Sequence, residues 1–307
     1  MSFDKIIGQE KVKKKLSFYL ESQHKTLISP HLLFVAPRGS GKTLLASTYA
    51  GQLLNSEGKK RRLITINCAT LTSLKAFIDD VIDVFVVNKE VSILFDEASE
   101  IPDPVETALL TILNPNKENK NIFSYSDRTI EFDFKKITFL FATTEGHKIS
   151  PPLADRLERV DLEDYSNDDL VTIVQKNTHA IISNDAMDEI KNVLRGNARK
   201  ATQMANNITL YINSSKKKEF GINDWDDFKI KLGINPLGLT PLEIKILKIL
   251  SEKSSTTLTN LSAKTQMSRQ SLQRDIENHL QKLNLMEITA IGRKITSQGR
   301  QYLESLK

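Results

Sequence analysis

The segment Ala36-Pro37-Arg38-Gly39-Ser40-Gly41-Lys42-Thr43 combines glycines, a lysine and a hydroxyl at a spacing that suits a polyphosphate. Glycines let successive backbone N–H groups converge on phosphate oxygens, and a helix starting there adds its positive end. Lys42 would reach the β- and γ-phosphates of ATP, and the Thr43 hydroxyl is a candidate Mg²⁺ ligand. Pro37, Arg38, Gly39, Ser40 and Gly41 complete the candidate cradle. The first position is Ala36 rather than glycine, so a left-handed backbone there would be strained.

A second segment, Val91-Ser92-Ile93-Leu94-Phe95-Asp96-Glu97, is an apolar run that ends in two carboxylates. Asp96 is the candidate partner of Thr43 in the Mg²⁺ shell. Glu97 is the candidate base that orients and deprotonates an attacking water. Alone, such a pair is an ordinary solvated strand end. Fifty-four residues after Lys42 it reads as the second half of a nucleotide site.

These groups need a frame, and the hydrophobic pattern supplies one. Residues 31–35, 63–67, 91–95, 137–142 and 159–162 read as five short strands. Four are nearly continuous apolar runs, as parallel strands buried on both faces should be. Helical patterns at 43–54 and 74–84 lie between them, which predicts an α/β fold with a parallel sheet. After Asp164 the strand pattern stops, and 166–182, 184–195, 198–213 and 223–232 read as helices. Lys216–218 reads as a solvated loop, and 233–238 as a linker. Thr240-Pro241-Leu242-Glu243 is a capping box with proline at the first helical position, a fresh helix start. The division is 1–162, an ATPase domain; 163–235, a helical lid; and 236–307, a separate C-terminal domain.

The C-terminal domain is basic. From Thr240 onward there are 11 Lys/Arg against 6 Asp/Glu, which accounts for the whole net charge of +5. Residues 241–252, 257–264 and 268–283 read as three helices. Residues 286–290 and 294–297 then form a strand–turn–strand around Ile291-Gly292-Arg293. This is the pattern of a winged helix-turn-helix. On its third helix Gln270, Arg274 and Asn278 form a polar stripe opposite Leu272, Ile276 and Leu280. Arg269, Arg274, Arg293 and Lys294 are the candidate DNA contacts. The competing reading is a protein-interaction module.

Composition narrows the field further. Apolar residues at 39% and charged residues at 26% exclude a disordered or fibrous chain. No apolar run approaches a membrane span, no secretory signal is recognisable, and the single Cys68 cannot form an intramolecular disulfide. A cytoplasmic location is the expectation. The five histidines are scattered, and no Cys/His spacing suits zinc.

Taken together, these segments resemble the AAA+ ATPases. Ile7-Gly8-Gln9-Glu10 matches the family segment over the adenine, so Ile7 and Gln9 are implied nucleotide contacts, as is Tyr165. Ala142-Thr143-Thr144 implies that Thr144 is the polar sensor between water and γ-phosphate. Pro151-Pro152-Leu153-Ala154-Asp155-Arg156 matches the segment of the arginine finger, Arg156. Gly196-Asn197-Ala198-Arg199 matches the second sensor, with Arg199 reaching the γ-phosphate from the lid. A finger so placed serves the neighbour's nucleotide, which implies a homo-oligomer.

The domain order resembles the RuvB family of Holliday-junction branch-migration motors, from about residue 3 to residue 306. Stretches 3–16, 96–113, 142–156, 195–205 and 232–250 carry the likeness. It implies a hexameric, ATP-driven motor on duplex or branched DNA in recombination or repair, with helicase-type action. It also implies a RuvA-like partner docked on a hairpin at 122–134. The turn here, Ser126-Asp127-Arg128, is polar where the family's is apolar. Ala154 replaces a family arginine, Asn197-Ala198 replaces Thr-Pro, and Arg38 intrudes in the phosphate loop. Two other readings compete. One is an ATP switch that loads another protein onto DNA. The other is a transcription regulator with a lapsed ATPase, against which Lys42, Asp96, Glu97 and Arg156 argue.

Overall fold

The computed structural model describes residues 2–306, and none of its helices is long and apolar enough to cross a membrane. By contact the chain groups into two compact units. One comprises residues up to 182 together with 196–220; the other comprises 183–195 together with residues from 221 onward. The segment 163–235 is thus shared between them, and the three-domain division stays a reading of the sequence.

The first unit is built on strands β1 (Leu32–Val35), β2 (Arg62–Asn67), β3 (Val91–Asp96), a hairpin of β4 (Lys120–Tyr125) and β5 (Arg128–Asp133), then β6 (Ile137–Thr143) and β7 (Glu158–Asp161). The five predicted strands form one parallel sheet in the order β2-β3-β6-β1-β7. Alternation along each strand sends side chains to opposite faces. Leu94 of β3 and Leu140 and Ala142 of β6 meet Leu45, Ala46 and Tyr49 on one face. Helices α1 (Glu10–Thr26) and α2 (Lys42–Ala50) cover that side. Phe95, Phe139 and Phe141 face the other way, onto α3 (residues 74–85) and α4 (Asp103–Ile112). Each such buried side chain contributes about 1.5–3 kcal/mol, which is why the central strands are mostly apolar.

Two buried polar groups brace this layer. Arg61, only 4% exposed, donates to the carbonyls of Leu54, Leu27 and Lys135 and to Thr138 Oγ1. His31 Nδ1 accepts from the Phe139 amide at 3.0 Å, and burial pushes the ring's pKa down to about 4. It is a neutral packing residue.

Four helices follow: α5 (Asn167–Asn177), α6 (Asn184–Val193), α7 (Ala198–Ser215) and α8 (Ile222–Leu232). The predicted helix 166–182 ends early, at Asn177. Thr178 turns extended and its hydroxyl accepts from Ala180 N, and Ile181–Ile182 becomes β8, paired in parallel with Glu219–Phe220, β9. Strand pairing therefore does not stop at Asp164. Helices α5 and α7 with β8 and β9 belong to the first unit, α6 and α8 to the second.

The second unit adds α9 (Pro241–Ser251), α10 (Leu258–Thr265), α11 (residues 269–282, π-wound over Leu272–Glu277), β10 (Met286–Thr289), β11 (Gly292–Ile295) and α12 (Ser297–Ser305). Leu247, Leu261, Leu272, Leu280 and Ile295 share its core. The capping box forms: Glu243 N donates to Thr240 Oγ1 at 3.2 Å and Thr240 N to Glu243 Oε2 at 2.7 Å. Glu243 is fully buried and receives both terminal nitrogens of Arg195, at 2.6 and 3.1 Å. The segment read as a linker is packed. Gly238 has φ 63°, and a Cβ there would lie 2.5 Å from the Val193 carbonyl. The wing turns at Ala290 and Ile291, because Gly292 and Arg293 already pair with Thr289 and Ile288.

Candidate functional site

The phosphate-binding candidates gather at the carboxyl ends of β1, β3 and β6, three neighbours in the sheet. Ligands of parallel α/β sheets bind at this edge. Two glycines make the loop's turns, Gly39 at φ 79° and Gly41 at φ 88°. Ala36 is not among the residues with positive φ and is buried, so the missing glycine costs the backbone nothing. Ser40 Oγ donates to Pro37 O at 2.9 Å, closing the loop on itself.

Lys42, 8% exposed, donates to the carbonyls of Ala36 and Pro37 at 2.7 and 3.0 Å. Burial lowers its pKa, the carboxylates of Glu97 and Asp96 oppose that shift, and Arg199 and Arg38 add to it. Three cations around one loop favour an anionic occupant. Thr43 Oγ1 lies 3.1 Å from Asp96 Oδ2, a pair of oxygen donors of the kind Mg²⁺ takes. Glu97 follows in the left-handed region, φ 55° and ψ 48°, a conformation that costs a side-chain-bearing residue about 1–2 kcal/mol. Its N–H donates to Asp96 Oδ1 at 3.1 Å, which holds the Asp96 carboxylate against the Glu97 backbone. Thr144 stands one residue beyond β6, partly buried, between the ends of β1 and β3.

A cavity of about 350 Å³ opens beside the loop. Gly39, Gly41, Lys42 and Thr43 line its phosphate end, and Ile7, Tyr165 and Arg199 are also on its wall. Tyr165 is 8% exposed with its hydroxyl 3.1 Å from a Cβ built on Gly41, and burial raises its pKa. Lys5, Ile173, Asn177 and Thr202 line it too, none of them singled out from sequence. Gln9 is not on the wall. Its side chain exchanges two hydrogen bonds with the Glu163 backbone, at 2.7 and 3.0 Å, and bolts the segment before α1 to the end of the sheet.

Arg156 lies apart from this cavity. It donates through Nε to Leu110 O, through NH1 to Pro152 O and through NH2 to Asn114 Oδ1, at 2.7–3.1 Å. It lines a second hollow of about 260 Å³ with Ser29, His31 and Glu158.

On the winged helix, Gln270, Arg274 and Asn278 are exposed as one stripe, with Ser268 capping the helix. Arg269 is exposed beside them, and Arg274 pairs with Asp275. Arg293 departs from expectation. It lies in β11 instead of the turn, and its guanidinium grips buried Glu277 at 2.7 and 3.0 Å. It ties the wing to α11 and leaves Lys294 as the wing's cation. The hairpin tip is likewise tied down: Arg128 pairs with Asp79 at 3.0 Å and with Asp83.

Known proteins resemble this chain in sequence and fold. Residues 32–165 match the ATPase family associated with various cellular activities (AAA), and residues 236–304 match the RuvB C-terminal winged helix domain. The Holliday junction branch migration complex subunit RuvB of Mycoplasmopsis pulmonis is 29% identical, over 99% of this chain and 97% of its own. That of the Wolbachia of Brugia malayi is 28% identical, over 98% and 91%. The structure of the Thermotoga maritima RuvB Holliday junction branch migration motor superposes with a TM-score of 0.80 at 23% identity, covering 99% of this chain and 97% of that one. Residues 32–165 thus form an AAA-type ATPase domain and residues 236–304 a winged helix of the RuvB kind, in a chain similar to RuvB along nearly its whole length.

Proposed function

We propose that the protein is an ATP-driven DNA motor that works as a ring, resembling RuvB in moving branched duplex DNA. The observation that carries this reading is the meeting of Lys42, Thr43 and Arg199 at one cavity, with Asp96 bonded to Thr43, in a chain that ends in a winged helix. Lys42 and the loop amides bind the β- and γ-phosphates. Thr43 and Asp96 would hold Mg²⁺, and the ion would supply positive charge against the phosphates. Glu97 takes a proton from the attacking water, Thr144 orients that water, and Arg199 senses the γ-phosphate. Arg156, remote from its own cavity, completes the site of the next subunit, and six subunits are favoured by the resemblance. A RuvA-like partner remains part of the proposal, with the polar, ion-paired hairpin tip as its altered docking point. The test is a synthetic four-way junction incubated with protein, ATP and Mg²⁺. Separation into duplex arms with continuing hydrolysis is expected, and Lys42→Ala protein should leave the junction intact. Hydrolysis that stops after one round and resumes only with a second protein would favour the loader.

DNA binding should weaken steeply with salt, since each neutralised phosphate releases counterions. Arg269→Ala and Lys294→Ala should each flatten the log–log slope by about 0.9. Arg293→Ala should act differently. It strands the Glu277 carboxylate, so thermal stability falls while the slope changes by less than one contact. Equal slopes for wild type and the Arg269/Lys294 double variant would move the DNA contact elsewhere.

A further inference from the structure

Asn197 begins α7, and its amide serves two elements at once. Oδ1 accepts from Lys200 N at 3.1 Å, the N-cap of the helix. Nδ2 donates to the Arg38 carbonyl in the phosphate loop at 3.0 Å. The assignment is unique, because one partner is an N–H and the other a C=O. Two residues on, Arg199 N donates to Gly39 O at 3.3 Å. The helix is therefore tied to successive carbonyls of the loop. The contact is close: a Cβ on Gly39 would fall 2.3 and 2.6 Å from Asn197 Oδ1 and Nδ2. Gly39 is thus small for the lid's sake as well as for its own φ of 79°.

We infer that Asn197 is a positioning residue, a latch that fixes the start of α7 on the phosphate loop and so holds Arg199 at the cavity before nucleotide arrives. The inference rests on the reading of this cavity as the ATP site. A long, exposed arginine on an untethered helix would lose more freedom on meeting phosphate, and that loss would weaken binding. A serine or threonine caps a helix as well as asparagine does, yet its single short hydroxyl cannot also reach across to Arg38 O. The dual reach is what asparagine adds.

Asn197→Ser separates the two roles, keeping the cap and removing the bridge. Its ATP dissociation constant, read with a fluorescent nucleotide, should rise about three- to tenfold, the effect of one neutral hydrogen bond. Its melting temperature should fall by no more than a few degrees, since the cap is kept and one hydrogen bond is lost. In an Arg199→Ala background the same substitution should add nothing, because the latch acts through Arg199. An unchanged dissociation constant for Asn197→Ser, or the same fold-change in both backgrounds, would overturn the latch while leaving the site reading intact. Normal ATP binding by Lys42→Ala and Arg199→Ala would instead overturn the site reading, and the latch with it.

Discussion

Glu97→Gln protein should bind ATP within about threefold of wild type and hydrolyse it about 10²–10⁴ times more slowly, the usual contribution of a positioned base. Lys42, Thr43 and the loop amides, to which the proposal gives nucleotide affinity, are untouched by the change. The amide keeps the size of the side chain but cannot accept the water's proton. Position is already paid for in the backbone, since Glu97 sits left-handed with its N–H on Asp96. Filter binding and steady-state turnover check the two halves of the expectation separately. Loss of ATP binding, with turnover per bound nucleotide unchanged, would show that Glu97 belongs to affinity instead.

Arg156→Ala should lose about 10³-fold or more in turnover, the scale of other arginine fingers, while still binding ATP. A guanidinium has five N–H donors, and three are spent on Leu110, Pro152 and Asn114. One N–H on each terminal nitrogen remains, enough for a forked grip on a neighbour's phosphate. Mixing separates cis from trans action. Lys42→Ala protein cannot hydrolyse ATP, yet it carries an intact Arg156. Added to Arg156→Ala protein, it should restore part of the activity if the finger serves the adjacent site. Well-mixed oligomers without any recovery would count against that role.

What could be read from the residues alone follows burial. Strands β3 and β6 announce themselves because both faces are covered, so each is a nearly continuous apolar run broken only by small or terminal polar residues. The loop and the Asp96-Glu97 pair are legible because adjacent residues carry the chemistry. Strand β8 is not. Two isoleucines pair with residues 219–220, and nothing local marks a partner so distant in sequence. Arg293 was hidden for a similar reason. Its partner Glu277 lies on another element, inside a π-wound stretch where Ile276 and Glu277 are both buried. Asn197 stands just before a predicted helix, but its bond to the loop depends on how α7 lies against Arg38.

The buried Arg195–Glu243 pair bears on modularity. The stretch that matches a winged helix begins at residue 236, and by sequence it looks like a part that could be exchanged between proteins. Grafted alone onto another ATPase, it would carry away a fully buried carboxylate and leave the guanidinium behind. Losing one member of such a pair costs about 3–5 kcal/mol, a large share of a domain's total stability. The transplantable piece is thus wider than the recognisable one, and it is discontinuous, since residues 196–220 between its two segments belong to the other body. A winged helix exchanged from residue 236 would break the pair, whereas one taken from residue 183 onward would keep it.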